Sequence, residues 1–117
     1  NDAELLNNLA NVQLRLKDPG AVKTAEAALA NAPGSALVTD TLGWALFQNG
    51  QTDRALQLLR DARLRAPGNP EIRYHLAAVL AKTGRTSEAR SELDSAINSG
   101  VAFESLAEAK ALSSSLR

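Results

Sequence analysis

Residues 42–62 read LGWALFQNGQTDRALQLLRDA, and residues 76–96 read LAAVLAKTGRTSEARSELDSA. At an offset of 34 residues the two stretches share seven identities: Leu42 with Leu76, Leu46 with Leu80, Gly50 with Gly84, Thr52 with Thr86, Ala55 with Ala89, Leu59 with Leu93, and Ala62 with Ala96. Leu and Ala at helical spacing indicate two amphipathic helices, and the glycine between them indicates a turn. The pattern therefore predicts a helical hairpin that recurs every 34 residues.

The same spacing extends outward to three repeats and one further helix. A Pro-Gly pair at residues 33–34 recurs at 67–68, which places the repeats at about 2–35, 36–69 and 70–103. This predicts an all-α fold, a right-handed α–α superhelix of three helix pairs. A capping helix over about residues 102–116 is expected to cover the last repeat through Phe103, Leu106, Ala109 and Leu112. The whole chain, 1–117, is then one domain, and its start within a helical pattern predicts a segment excised from a longer array.

Cap and turn residues mark the predicted helix ends. Pro70 fits the first position of a helix, and four polar residues stand where N-terminal caps are needed: Ser35, Thr52, Asn69 and Thr86. The first repeat has one residue fewer in its turn, and there Asp18 is predicted to cap a helix that begins at Pro19. Gly43 is predicted to pack against the second helix of its own repeat, because a small residue allows two helix backbones to approach closely.

Composition excludes several classes of function. Thirteen basic and 13 acidic residues give a formal net charge of zero, which argues against a nucleic-acid partner. The chain has no cysteine and a single histidine, His75, so no catalytic, metal or cofactor site can be assembled and no enzyme is predicted. No apolar run approaches the roughly 20 residues that span a membrane. The charged residues of the last repeat are predicted to form a solvated, salt-bridged surface: Arg85, Glu88, Arg90, Glu92 and Asp94.

From Asp2 to Phe103 the chain resembles the tetratricopeptide repeat family, in its Leu-Gly pair at 42–43, its alanines and its proline at 67. Thr39 and Arg73 depart from the family pattern, which commonly has Trp there. The resemblance implies an interaction scaffold whose concave groove, lined by the first helices of successive repeats, binds a peptide or a helix. Carried onto this chain, the groove positions are Asn7, Asn8, Asn11, Arg15, Asp40, Thr41, Trp44, Phe47, Gln48, Glu71, Tyr74, His75 and Lys82.

Trp44 and Tyr74 are the expected anchors of this groove, since exposed aromatic residues dominate interface energetics. Two alternatives stay open: Trp44 packs only against the neighbouring first helix, and His75 is a polar residue without a special role. The resemblance also provides a test for the carboxylate clamp of chaperone-binding members. The clamp positions hold Asn7, Asn11, Thr41, Glu71 and His75. Only Asn11 matches the residue that the clamp requires, which argues against binding of an EEVD-type tail.

A narrower resemblance covers the whole chain. The strings at 40–44 and 69–76, the shortened turn at 18–21 and the Ala/Leu-rich final helix resemble the C-terminal part of the tetratricopeptide-repeat lipoproteins of the PEP-CTERM (exosortase) system. This implies a bacterial, exported array that is lipid-anchored through an upstream segment and works in exopolysaccharide and PEP-CTERM protein sorting. The alternative function is a structural spacer in a longer array, with no ligand of its own.

The first helix, predicted over residues 3–16, is expected to be poorly covered. Its apolar residues have no preceding repeat in this chain, so they should be more exposed than their equivalents further along: Leu5, Leu6, Leu9 and Val12. We therefore expect this helix to fray or to self-associate.

Overall fold

The computed structural model describes residues 1–116, and within them it contains seven α-helices and no strand. The helices are α1 (Asp2–Arg15), α2 (Ala21–Asn31), α3 (Ala36–Gln48), α4 (Thr52–Arg65), α5 (Pro70–Lys82), α6 (Thr86–Ile97) and α7 (Leu106–Ser115). The all-α prediction is confirmed. The chain divides into two compact units, residues 1–62 and residues 63–116.

The first unit is held together by a core of small and aliphatic side chains. α1 packs against α2, and α3 packs against both. The core includes a cluster of five residues that are at most 1% exposed: Ala10, Ala25, Leu42, Leu46 and Ala55. Val22, Leu29, Phe47 and Leu58 surround them. Burial of this apolar surface, with alanine where helices come close, is the main stabilising contribution in the unit.

Gly43 lies where α3 packs closely against α4. A β-carbon at this position would lie 2.8 Å from Cγ and 3.0 Å from Cδ2 of Leu59, and 3.5 Å from the carbonyl oxygen of Ala55. Ala55 and Leu59 belong to α4, the second helix of the same repeat. The predicted packing of Gly43 is therefore confirmed, and its physical reason is that only glycine leaves room for the Leu59 side chain.

The shortened turn of the first repeat differs from the prediction. Helix α2 begins at Ala21, with Gly20 as its N-cap residue and no side-chain cap, so Asp18 does not cap it and Pro19 is not its first residue. Instead, Asp18 Oδ1 accepts a hydrogen bond of 2.8 Å from the backbone N–H of Gly20. Lys17 takes the left-handed conformation, with φ of 56°, that Gly50 takes in the complete turn, with φ of 82°. The turn after α1 therefore has a lysine in the left-handed conformation where the turn of the following repeat has a glycine.

Two of the four predicted caps are confirmed. The N–H of Val38 donates to Ser35 Oγ at 3.2 Å, and the N–H of Ile72 donates to Asn69 Oδ1 at 3.1 Å. Thr52 and Thr86 were expected as caps but are the first residues of their helices. At α6 the N-cap residue is Arg85, whose side chain makes no capping bond, so Thr86 lies one position too late to cap.

The second unit combines α5, α6 and α7. α5 packs against α6, and α7 packs against both. Its aliphatic interior is fully or almost fully buried: Ile72, Leu76, Val79, Leu80 and Leu93. The last helix begins at Leu106 rather than near residue 102, so Phe103 precedes it. Ala109 is buried, while Phe103, Leu106 and Leu112 are half-buried. At the other end of α7, Arg90 Nε of α6 donates to the carbonyl oxygen of Leu116 at 2.9 Å.

Candidate functional site

On α1 and α3 of the first unit, several expected groove residues lie at the surface. Asn8, Arg15 and Gln48 are exposed, and Asn7, Asn11, Trp44 and Phe47 are half-buried. The rings of Trp44 and Phe47 lie 5.5 Å apart between centroids at an interplanar angle of 39°, an arrangement that stabilises aromatic pairs. We refer to these exposed and half-buried residues of the two helices together as the α1–α3 face: Asn7, Asn11, Arg15, Trp44, Phe47 and Gln48.

Two other expected groove residues of α3 are turned inward. Asp40 is 7% and Thr41 is 4% exposed. The Thr41 hydroxyl donates to the carbonyl oxygen of Leu37 at 3.0 Å, so its hydrogen-bonding capacity serves its own helix. Leu37 itself is 57% exposed and lies seven residues before Trp44, on the same side of α3. Leu37 was not among the expected groove residues, although its spacing of two helical turns from Trp44 indicates it.

Residues of α5 in the second unit make a connected polar cluster with the start of α7. Glu71 accepts two hydrogen bonds from Ser105, 3.1 Å from its N–H and 2.5 Å from its Oγ. Nε2 of His75, one turn further along α5, lies 3.2 Å from Oε2 of Glu71. Glu71 and His75 were expected in the groove, and here they link α5 to the N-cap residue of α7. Ser105 lies 34 residues from Glu71, and no local signal in the sequence joins them.

The electrostatics of this cluster favour a carboxylate and a neutral phenol. Burial alone would raise the pKa of Glu71, but hydrogen bonds from His75 and Ser105 outweigh it and hold the pKa below the ordinary value of 4.5. Burial raises the pKa of Tyr74, and the carboxylates of Glu108 and Glu71 raise it further. The Tyr74 ring lies beside His75, with centroids 5.7 Å apart. Lys82, at the far end of α5, is exposed.

Ser, His and Glu meet in this cluster, but not in the order that nucleophilic catalysis needs. A serine nucleophile gives its proton to histidine, and the carboxylate orients the histidine from its other side. Here Glu71 stands in the middle and accepts from the Ser105 hydroxyl directly. Within residues 1–116, no group of three or more His, Cys, Asp or Glu side chains could hold a metal ion. The geometry of the cluster is that of a structural link.

Acid should weaken this link. A carboxylate with a lowered folded-state pKa stabilises the fold above its unfolded-state pKa and loses that effect as the pH falls through the folded-state value. We expect Glu71→Gln to lower the melting temperature at neutral pH by about 4 °C, as for the loss of a hydrogen bond of about 1 kcal/mol. This difference should shrink as the pH falls below 4.5. Thermal melts between neutral pH and about pH 3, with the exposed Glu88→Gln as control, measure it. A difference that stays constant over this range would contradict a role for the ionised form.

Glu92 contradicts the predicted solvated surface. It is 7% exposed and pairs with two arginines. Arg63 Nη2 lies 3.0 Å and Arg73 Nη1 2.7 Å from the carboxylate oxygens. Arg73 Nε also donates to the carbonyl oxygen of Pro67 at 2.7 Å. Arg73 occupies a position where the family commonly has Trp. This departure from the family pattern was the one feature of the sequence that indicated an ion-pair network here instead of an aromatic contact.

An open cleft of about 570 Å³ lies in the second unit, between the turn before α5 and the segment before α7. Its walls are mostly apolar and comprise Ala66, Gly68, Asn69, Pro70, Glu71, Val101, Ala102, Phe103 and Glu104. Val101 is 53% exposed at its rim.

A family model described as Tetratricopeptide repeat matches residues 46–113. No curated protein matches the chain by sequence. None of the helices within residues 1–116 combines the length and the hydropathy needed to cross a membrane.

Solved structures with the same helical-repeat fold include proteins seen with their partners. The Yersinia enterocolitica type III secretion chaperone SycD, in complex with a peptide of the translocator YopD, is 24% identical, with a TM-score of 0.77 over 97% of this chain and 87% of that chain. The TPR2B domain of yeast Sti1, in a pHsp70 complex, is 19% identical, with a TM-score of 0.84 over 98% and 95%. A mutant O-GlcNAc transferase of Thermobaculum terrenum is 25% identical, with a TM-score of 0.79 over 85% of this chain but only 19% of that chain.

Proposed function

Because this chain belongs to the tetratricopeptide repeat family, we propose that it is a non-enzymatic scaffold that binds a peptide or a helix of a partner protein. The observation that carries this proposal is the α1–α3 face, where the Trp44–Phe47 pair lies on the same unit as a row of amide side chains and Arg15. The partner-bound states of SycD and of the Sti1 domain support it at the level of the fold.

The α1–α3 face suggests the chemistry of the ligand. Asn7, Asn11 and Arg15 follow one another at four-residue intervals on α1, so they share one side of that helix. Amide side chains both donate and accept hydrogen bonds, which suits the backbone of an extended peptide. Trp44 offers a large apolar surface with one N–H donor, and Arg15 suits an acidic group. On α5 of the second unit, Tyr74 and Lys82 are proposed contact residues in their own right. The proposed ligand is an extended, partly apolar segment with an acidic residue.

The cellular context is a further part of the proposal. The strings at 40–44 and 69–76 favour a role in the PEP-CTERM and exopolysaccharide system, in which case the parent protein would be bacterial, exported and lipid-anchored. A lipoprotein signal upstream and neighbouring exosortase genes would establish that context.

A structural spacer is the second candidate, and the charge-neutral composition of the chain is compatible with it. Separately, the exposed apolar side of α1 is a proposed site of self-association.

The anchor residues give the decisive test. We expect Trp44→Ala with Tyr74→Ala to weaken the binding of a captured partner at least about tenfold, or 1.4 kcal/mol, since buried aromatic anchors carry much of the binding energy. Affinity capture identifies the partner, and titration calorimetry with the corresponding peptide measures the affinity.

The matched control for this test is Leu64→Ala. Leu64 is 70% exposed and lies on α4, which is the second helix of its repeat and not one of the first helices that line the proposed groove. It should leave the affinity unchanged. Equal loss in the control would indicate non-specific apolar binding. A partner that binds the double variant and the wild type alike would exclude the α1–α3 face, and the absence of any specific partner would favour the spacer.

A further inference from the structure

The open cleft of the second unit, which we call the α5–α7 cleft, lies between two connections of this chain. One is the turn at 66–69 between α4 and α5, and the other is the segment at 98–105 between α6 and α7, which is twice as long. Within this segment Val101 stands where the repeat has Pro33 and Pro67. The chain therefore departs from its own repeat pattern at the place where the cleft opens.

The size and the walls of the cleft suit aliphatic side chains. Its volume of about 570 Å³ falls within the roughly 300–1,000 Å³ of ligand sites in proteins. Val101 is 53% exposed at the rim, and the half-buried Phe103 belongs to the wall. On the other connection, a β-carbon at Gly68 would meet no atom within 4 Å, so this side of the cleft is open. The cleft can therefore take up apolar groups of a partner.

The segment before α7 also offers backbone hydrogen-bond donors. Residues 100–103 form neither helix nor turn. Within residues 1–116, the N–H groups of Ala102, Phe103 and Glu104 make no hydrogen bond to another residue. Donors of this kind can pair with the backbone carbonyl groups of a second chain. A peptide supplies such acceptors, whereas a hydrocarbon or a simple amine does not.

The charge of the cleft is negative. Glu71 and Glu104 are its charged lining residues in the described part of the chain, and no lysine or arginine there lines it. The Glu71 side chain is 27% exposed, and one of the roughly four acceptor sites of its carboxylate remains beside the bonds to Ser105 and His75. Glu104 is exposed and pairs with no cation among residues 1–116. This charge distribution favours a cationic group at the rim of an apolar site.

The last helix leads away from the cleft. The ten residues of α7 rise about 15 Å, and at the far end Arg90 binds the carbonyl oxygen of Leu116. The end of α7 is thus fixed at a distance from the cleft, which favours a segment of another protein as its occupant.

We propose that the α5–α7 cleft binds an extended segment of a partner protein that carries a lysine or an arginine between aliphatic residues. The aliphatic side chains contact Val101 and Phe103, and the cation lies at the carboxylates of Glu71 and Glu104. The cleft shares no residue with the α1–α3 face, and its ligand is basic where the ligand proposed for that face is acidic. The two sites can therefore be tested separately.

Titration of the isotope-labelled chain with short peptides, followed by nuclear magnetic resonance, tests the proposal. The probe is acetyl-Ala-Val-Lys-Val-Ala-amide. Its contact area is below the roughly 1,200 Å² of stable interfaces, so we expect a dissociation constant on the order of 100 µM. The amide signals of residues 66–71 and 101–105 should shift together. The same peptide with glutamate in place of lysine should bind at least about fivefold more weakly. Butylamine, a lysine side chain without a backbone, should bind at least about tenfold more weakly.

Variants locate the binding in the cleft. Val101→Ser with Glu104→Lys should weaken binding of the basic peptide at least about tenfold. The matched control is Leu37→Ser with Glu88→Lys, which changes an exposed leucine of the first unit and an exposed glutamate of α6. It should bind like the wild type, and so should Trp44→Ala, whose side chain belongs to the α1–α3 face. Circular dichroism verifies that each variant is folded.

Several outcomes would overturn the proposal. The absence of shifts at the cleft up to about 5 mM peptide would exclude this ligand, and equal affinity for the acidic peptide or for butylamine would exclude recognition of a basic peptide. Equal loss in the matched control would show that binding lies elsewhere. Shifts at the cleft that depend on protein concentration alone would assign it to a second copy of this chain. Binding to this chain but not to a longer form of it would assign the cleft to a segment of the same chain.

Discussion

Replacing Gly43 with leucine is expected to lower the free energy of unfolding by about 3 kcal/mol. Even a single β-carbon at this position would lie 2.8 Å from Cγ of Leu59, whose side chain is fully buried, so the neighbouring atoms must shift. A leucine must force α3 away from α4 or push Leu59 out of its rotamer. Gly43→Ala should cost less, because the better helix propensity of alanine offsets part of the overlap.

Urea unfolding measures this effect, and Gly68 provides the matched control. A β-carbon at position 68 would meet no atom within 4 Å, so Gly68→Leu is expected to change the free energy of unfolding by no more than about 0.5 kcal/mol. Equal midpoints for Gly43→Leu and Gly68→Leu would mean that α3 and α4 do not pack as described here.

Replacing Glu92 with alanine is expected to cost about 2–3 kcal/mol, the second largest effect. The change leaves two guanidinium groups facing each other without their shared carboxylate. Arg73 has most to lose, since its side chain is only 20% exposed, whereas Arg63, at 37%, can turn to water. Glu92→Gln should cost less than Glu92→Ala, because the amide oxygen can still accept one hydrogen bond.

Thermal and urea unfolding of both Glu92 variants tests this, beside Glu88→Ala as a surface control. The carboxylate of Glu88 lies 4.0 Å from Arg85, and both side chains are about half exposed. Exposed pairs of this kind contribute at most about 1 kcal/mol. If Glu92→Ala were as mild as Glu88→Ala, the buried network would be energetically irrelevant.

The sequence by itself determined the helices, the turns within the two complete repeats and most of the core. The 34-residue identities fall on residues that are buried in both complete repeats, such as Leu42 and Leu76, because helical spacing alone decides which side of a helix is apolar. Ser35 and Asn69 cap as predicted, since capping depends only on residues three apart. The prediction that Leu5, Leu9 and Val12 are more exposed than their equivalents in the second repeat, Val38, Leu42 and Ala45, is also confirmed.

Only the tertiary structure decided where the polar side chains of the candidate site go. Glu92 meets Arg73 across 19 residues and Arg63 across 29, and Glu71 meets Ser105 across 34. Ser105, which Glu71 binds, is the N-cap residue of α7, so this long-range link coincides with the late start of that helix. The burial of Asp40 and Thr41 likewise removed two residues from the expected groove. Helical periodicity places a residue on a side of its helix, but the reach of a long or charged side chain to a distant partner depends on how the helices pack.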